Sequence, residues 1–471
     1  MTEAGEPQRA ASISERESGL QRGLGKTQIV MIGLGGAIGT GLFMGSGLAI
    51  GYAGPAVILS YVLAGFVALV MVFSLSEMAV VHPTAGSFGT YAETYLNPWA
   101  GFVVRYTYWL AQVIAIGGEA VAAGLYMGFW FPDVPVWMWA LGFCVVLLYF
   151  NSRSVSNFGT VESWFALIKV AAIVLFIVLG AASIFGKGHL SDGLHNLTGL
   201  PGGFFPKGFA GVWMAVIVGV FSFNGIEVIA VTSGEVRDPQ RAIPAALRTM
   251  LLRLFLFYVL AVTIIVTTTP WTATGVKVVA QSPFVSVFQH SGIAHAAGFM
   301  NFVVISAALS SMNTNIYLCS RMLFSLSRGQ YAPRQLGSLS GRGTPVAAVL
   351  ISGVGILVSA GVSIFTPNAY GYLLGVALFD AILVWMIILL SHLSFRRRHG
   401  ASELPVRMPL FPWMQCAGLV MLAAVLVTMG LDPNLDVSWK YGVPWLIVIS
   451  AAYFLWRMNP ARTASVRGAH D

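Results

Sequence analysis

The chain has 471 residues, 57% of them apolar and only 9% charged, with a formal net charge of +8. A soluble domain carries roughly 25% charged residues, and this composition folded in water would expose large apolar surfaces. A soluble protein is therefore excluded and a membrane protein expected.

The chain begins with a charged, Ser/Gly-rich stretch, residues 1–26, that reads as a disordered tail. It is polar through Lys26 and has no apolar h-region, so no cleaved signal peptide is expected. About twelve apolar spans of membrane length follow. They lie near 28–52, 55–81, 99–130, 135–150, 160–185, 208–232, 246–268, 296–325, 344–365, 370–393, 409–430 and 441–457. Each is continuously apolar, unlike the alternating strands of a membrane barrel. Residues 459–471 read as a second tail.

Span one contains a glycine-rich break at residues 33–43 (GLGGAIGTGLF). Broken backbone at membrane depth is tolerated only where protein or a water-filled cavity satisfies it. Here Ile38, Gly39, Thr40 and Gly41 could turn N–H groups into a cavity, and the restarting half-helix adds positive dipole character. A small carboxylate is the natural guest. Helix packing through Gly35, Gly39 and Gly47 is the competing reading. Near the end of span two, Glu77 is placed to snorkel or pair. Residues 81–98 are moderately polar, and their length suits a short amphipathic or re-entrant piece.

Glu119 sits mid-span among the small residues 117–124 (GGEAVAAG), which permit close helix approach. Lys169 lies within span five. Burying each such group costs at least ~2.5 kcal/mol on insertion scales, so both are functional candidates. Glu119 suits proton carriage. Lys169 suits either proton carriage or a fixed positive charge where another transporter would hold Na⁺, with snorkelling as the alternative.

Span six holds the second break, residues 221–228 (FSFNGIEV). Carbonyls around Phe221, Ser222 and Asn224, with the half-helix C-terminus, would attract an ammonium, and Phe221 or Phe223 could close over it. A simple kink at Asn224-Gly225 is the competing reading. Glu227, directly after the break, could brace unwound N–H groups or transfer a proton. Asp380, in span ten, could be a second proton site or a partner for another polar group.

A carboxylate site facing an ammonium site describes an α-amino acid, and paired breaks in separate halves point to a transporter's binding site. Spans one to five and six to ten each begin with a broken helix. Five is odd, so the second unit must be inverted. With the N-terminus inside, 20 of the 26 Lys and Arg residues fall on the cytoplasmic side and four opposite, with Arg105 and Lys169 inside spans. That bias places both termini in the cytoplasm. It also explains the positive charge without nucleic-acid binding. HExxH, Walker and CxxC motifs are absent, and Cys144, Cys319 and Cys416 read as ordinary buried residues. No enzyme, cofactor or metal site is expected.

Four stretches resemble bacterial permeases of the amino acid transporter family, in the amino-acid–polyamine–organocation superfamily. They are residues 33–47 (GLGGAIGTGLFMGSG), 83–91 (PTAGSFGTY), 221–244 (FSFNGIEVIAVTSGEVRDPQRAIP) and 320–333 (SRMLFSLSRGQYAP). The resemblance covers residues of about 25 to 458. It implies an all-α polytopic fold of twelve transmembrane helices: two inverted five-helix repeats of the LeuT type, about 28–185 and 208–393, plus two extra helices, about 409–457. Ile38, Gly39, Thr40 and Gly41 would meet the substrate carboxylate, and carbonyls around Phe221, Ser222 and Asn224 its amine. Lys169 matches a lysine that couples protons in related carriers, and Glu119 the family's acidic position in span three. Asp380 matches no general feature.

The expected function is import of an amino acid across the bacterial cytoplasmic membrane by proton symport with alternating access. An exchanger is the alternative. A channel would show pore loops or rings of like residues, and a sensor a signalling tail; neither is visible. With no dense acidic cluster, a polyamine is disfavoured, and neutral, aromatic, proline-like or γ-amino acid substrates are expected.

Overall fold

The computed structural model describes residues 25–457, apart from 154, 187–189, 237–238, 275–281, 291–294, 401–403, 405 and 433–434. The two predicted tails, 1–26 and 459–471, lie outside the described residues except for Gly25 and Lys26. Helices joined by turns make up the described structure. Nine helical runs among the described residues are long and apolar enough to cross a membrane.

Predicted span one is not a single helix. It consists of α1 (Lys26–Ala37), α2 (Thr40–Phe43) and α3 (Gly45–Ala53). A turn at Gly54-Pro55-Ala56 leads into α4 (Val57–Val81). Predicted span six is likewise divided, into α9 (Gly208–Ser222) and α10 (Val228–Val231). The unbroken elements between them are α5 (Ser87–Tyr95), α6 (Pro98–Met127), α7 (Val136–Arg153) and α8 (Val155–Gly186). Beyond α10 come α11 (Pro239–Thr268), α12 (Ala296–Arg328), α13 (Val346–Gly361), α14 (Ala369–Arg398), α15 (Trp413–Leu431) and α16 (Val437–Arg457). The predicted twelfth span corresponds to α16, which carries Lys440 and Arg457 and is not among the nine apolar runs.

Packing gathers these helices around the breaks. The central helix α6 lies mainly against α12 and α14. The first half-helix α1 packs on α8, α11 and α12, while α9 packs on α3 and α4. Cys144 and Cys319 are buried, whereas Cys416, expected to be buried, is exposed on α15.

The polar segment 81–98 folds as the short helix α5, and all of its residues but Thr94 are buried. Asn97 then starts α6: its side-chain carbonyl accepts from the Ala100 N–H at 2.8 Å, and Pro98 takes the first helical position. The buried Arg105, the basic residue in span three, pairs with Glu93 of α5 at 3.0 Å and donates to Ser325 of α12 at 2.8 Å. Three elements are thereby tied by one guanidinium. Glu77 is also paired: its carboxylate meets His392 at 2.8 Å and Arg396 at 3.1 Å on α14 and accepts from the Met408 N–H.

Beside this cluster, just past the end of α4, His82 stands 2.5 Å from the Tyr95 hydroxyl, with its ring 6.2 Å from that of His399. Burial, then the charge of His399, lowers the His82 pKa from 6.5 to about 4. The folded state therefore holds His82 neutral, and an opened state binds the proton first as pH falls below about 6.5. Stability from this contact is full above that pH and is lost as pH falls towards 4. The expected slope is at most about 1.4 kcal/mol per pH unit. Thermal unfolding of detergent-solubilised protein at pH 7.5 and 5 should show the loss, and His82→Gln should flatten it.

Candidate functional site

The two breaks meet at the centre of the molecule. At the first, α1 ends at Ala37 and α2 restarts at Thr40. The last carbonyls of a helix have no partner of their own, nor do its first N–H groups, and no bulk water is available at membrane depth. Oppositely charged side chains fill these vacancies. Lys169 of α8 is 0% exposed, and its ammonium donates to the carbonyls of Gly35 at 2.5 Å and Ile38 at 2.9 Å. Glu119 of α6 accepts the Thr40 N–H with both oxygens at 3.2 Å. A cation thus closes the C-terminal end of one half-helix and an anion opens the next, each at the end of the macrodipole that favours it.

Residue by residue, the predicted carboxylate seat is more differentiated than its sequence suggests. The Ile38 N–H still donates to Leu34 O at 3.0 Å, in the last turn of α1, and the Ile38 carbonyl serves Lys169. Ile38 therefore presents no donor in this conformation. The Gly39 N–H closes a tight turn onto Ala37 O at 3.2 Å. A side chain at Gly39 would strike Glu119, since its Cβ would lie 2.5 Å from the carboxylate. Thr40 points its N–H at the site, and Tyr370 donates to the Thr40 hydroxyl at 3.4 Å.

At the second break, α9 ends at Ser222, and the Asn224 N–H turns back onto Phe221 O at 2.9 Å. The Ser222 hydroxyl donates to Gly41 O at 2.8 Å, so the two breaks are stitched together. Glu227 accepts the Gly225 N–H with both oxygens, at 3.1 and 3.2 Å, and the Tyr108 hydroxyl at 3.1 Å. Gly225 has φ of +96°, and its Cβ would lie only 2.6 Å from Gly36 O. Gly225→Ala is expected to cost about 1–3 kcal/mol from the backbone conformation alone, plus the displacement of α1. A lower unfolding temperature with reduced substrate-induced stabilisation would register it.

A small cavity lies between the breaks, lined by Gly39, Gly41, Glu119, Phe221, Ser222, Asn224, Ser311 and Asn315 among others. The side-chain oxygens of Asn224 and Asn315 are buried there without a hydrogen-bond partner. A buried acceptor left unpaired is costly, and an ammonium would satisfy both. Adjoining it, a space walled by Gly118, Tyr370, Leu373, Leu374 and Ala377 shares Ala115, Glu119 and Phe221 with the first. Its lining is apolar apart from Thr40, Glu119 and the Tyr370 hydroxyl. The site thus has an N–H end, an acceptor end and an apolar flank.

The family model described as amino acid permease matches residues 28–465. The chain belongs to the amino acid permease family. This permease is 40% identical over 449 residues to an uncharacterised amino acid permease, YtnA, of Bacillus subtilis, covering 94% of this chain and 96% of that one. It is 37% identical over 423 residues to a γ-aminobutyric acid permease of the same organism, covering 88% and 89%. It is 38% identical over 457 residues to the aromatic amino acid transport protein AroP of Escherichia coli K12, covering 96% and 98%. The permease is a multi-pass membrane transporter and not an enzyme. Among its described residues no group of three or more His, Cys, Asp or Glu could hold a metal ion.

Sequence reasoning missed Glu162, on α8. It is 0% exposed, accepts from Ser310 and from Asn313 Nδ2 at 3.0 Å, and lies against Gly35, where a Cβ would clash with its carboxylate oxygen. Its position seven residues before Lys169 was the available signal, because residues two turns apart share a helix face. Asp380 is brought to none of these groups. It is 0% exposed, and neither oxygen has a partner.

Proposed function

We propose that the permease imports a neutral α-amino acid across the cytoplasmic membrane by proton symport, through alternating access. The carrying observation is Glu119 on the Thr40 N–H. A substrate carboxylate seeks the same donor, so the chain's own carboxylate and the ligand compete. Protonation of Glu119 weakens its hold on the N–H and removes its repulsion of the ligand, and substrate and proton enter together. Thr40 and Gly41 then meet the carboxylate. Carbonyls around Phe221 and Ser222 and the free acceptors of Asn224 and Asn315 meet the amine, and Lys169 holds the break open.

The apolar flank formed by Ala115, Gly118, Leu373, Leu374 and Ala377 favours an aromatic, aliphatic or proline-like side chain. The aromatic amino acid transport named for AroP is consistent with a side chain of this kind. In this reading the unit from 27 to 458 has twelve crossings: two inverted five-helix repeats, about 28–185 and 208–393, and two extra helices, about 409–457. The tails 1–26 and 459–471 are cytoplasmic. Glu227 braces the second break, and Asp380 stands outside the transport path.

Purified permease in liposomes should accumulate its substrate when an inward proton gradient is imposed, without Na⁺. Uptake that ignores the gradient and requires internal amino acid would replace symport with exchange.

A further inference from the structure

A proton carried in on Glu119 has to leave towards the cytoplasm before the empty carrier returns. Glu119 stands on the Thr40 side of the first break, and Lys169 on the Gly35 side. Beyond Lys169 lies a buried carboxylate that neither the substrate nor the break requires, that of Glu162. Two turns apart on α8, Glu162 and Lys169 share a helix face. Both meet α1 at Gly35. Lys169 donates to the Gly35 carbonyl, and the Glu162 carboxylate covers the Gly35 Cα so closely that a Cβ there would clash with it.

From Glu162 a line of polar side chains leads away from the break. The Ser310 hydroxyl of α12 donates to one of its oxygens, and Asn313 Nδ2 to the other at 3.0 Å. The Asn313 side-chain carbonyl in turn accepts from Asn151 Nδ2 of α7 at 2.8 Å. Asn151 is half-buried, two residues before the exposed Arg153 that ends α7. The basic bias of the chain makes this the cytoplasmic end. A carboxylate whose one task was to balance Lys169 would need no connection to that surface. Lys169 is the charged group acting on Glu162. Against the same stretch α1 presents glycine backbone and α12 the neutral Ser310 and Asn313, while Tyr258 of α11 donates its hydroxyl to the Ala37 carbonyl at 2.7 Å.

We propose that Glu162 is the exit acceptor for the coupled proton, taking it from Lys169, which is recharged by Glu119. An N–H bond of the ammonium breaks as an O–H bond forms on Glu162. The O–H bond of Glu119 then breaks, and its proton restores the ammonium. The net change is one proton moved from Glu119 to Glu162, with Lys169 charged before and after. The Ser310 hydroxyl can turn from donor to acceptor and so holds the protonated acid. Amides do not titrate, so the last step to bulk is taken by water admitted along Asn313 and Asn151 as the carrier opens inward. This route presupposes the proton symport proposed above.

The test uses the purified full chain in liposomes, with a pH-sensitive dye inside and a radiolabelled mixture of the common amino acids outside. Wild type should acidify the interior as label enters. Entry of label without acidification would overturn symport itself, and this route with it. Net uptake into empty vesicles and counterflow into preloaded ones then separate the steps, because exchange need not release the proton. In Glu162→Gln the ratio of net uptake to counterflow should fall about a hundredfold, the lower end of what a positioned acid or base contributes. Glu162→Asp should recover part of it. Asn151→Leu, which cuts the line near the surface, should lower the same ratio, and it decides the matter where the Gln variant fails to fold. With wild type acidifying, an unchanged ratio in the deciding variant, or equal losses of uptake and exchange, would overturn the proposal and leave Glu162 a tie between α8 and α12.

Discussion

Lys169→Ala is expected to reduce gradient-driven uptake in liposomes by more than about a hundredfold. The ammonium of Lys169 is the donor recorded for the Gly35 and Ile38 carbonyls, where α1 stops. Removing it leaves two buried acceptors unpaired, at about 1–3 kcal/mol each. Taking about 3 kcal/mol for the pair gives a factor above one hundred, at 1.4 kcal/mol per decade. It also leaves Glu162, packed against the same Gly35, without the cation in its field. The break should then relax towards a continuous or differently bent helix, and the Thr40 N–H should lose its place. Lys169→Arg should fail as well, because the planar fork does not match a point contact to two carbonyls. Uptake per folded protein, normalised by size-exclusion recovery, is the measurement. Undiminished accumulation by the alanine variant would remove Lys169 from the mechanism.

Glu119→Gln is expected to abolish the pH dependence of substrate affinity. In wild type, substrate must displace a carboxylate from the Thr40 N–H, so affinity should rise as pH falls through the range in which Glu119 takes up its proton. One coupled proton corresponds to a tenfold change in apparent affinity per pH unit within that range. Lys169 is the charged group that acts on Glu119 across the break, while Thr40, Ser311 and Tyr370 are its polar surroundings. The amide is permanently neutral, so affinity should become flat and accumulation against a gradient should fail while substrate still binds. Substrate-induced thermal stabilisation between pH 5 and 8 measures this directly. A retained tenfold slope in the variant would assign Glu119 to packing.

Much of this site was legible, and the limits have physical causes. Glycines at 33, 35, 36, 39 and 41 advertise a helix that cannot stay whole, and Asn224-Gly225 advertises a second. That Lys169 and Glu119 are candidates followed from the cost of burying them. Which end of which half-helix each would meet did not follow, because it depends on how α6 and α8 rotate about their axes. Ile38 could not be separated from Gly39 and Thr40 for the same reason. One further α-helical bond, from Ile38 to Leu34, removes its N–H from the site, and the composition of the break does not say where the last bond falls. Glu162 was lost at the edge of a predicted span, because α8 begins earlier than hydropathy places it. For Asp380 neither proposed role gains a partner from the fold, since both its oxygens stand alone.

The hydrogen bonds at Thr40 also bear on the half of the cycle in which nothing is carried. An importer must return empty, and a site of unfilled donors would resist closing around nothing. With Glu119 already seated on the Thr40 N–H, the unloaded carrier is internally ligated. On the proposed reading its return stroke needs no passenger. Net uptake into vesicles that contain no amino acid should therefore run at a rate comparable to exchange, and the deprotonated carboxylate acts as the ticket home.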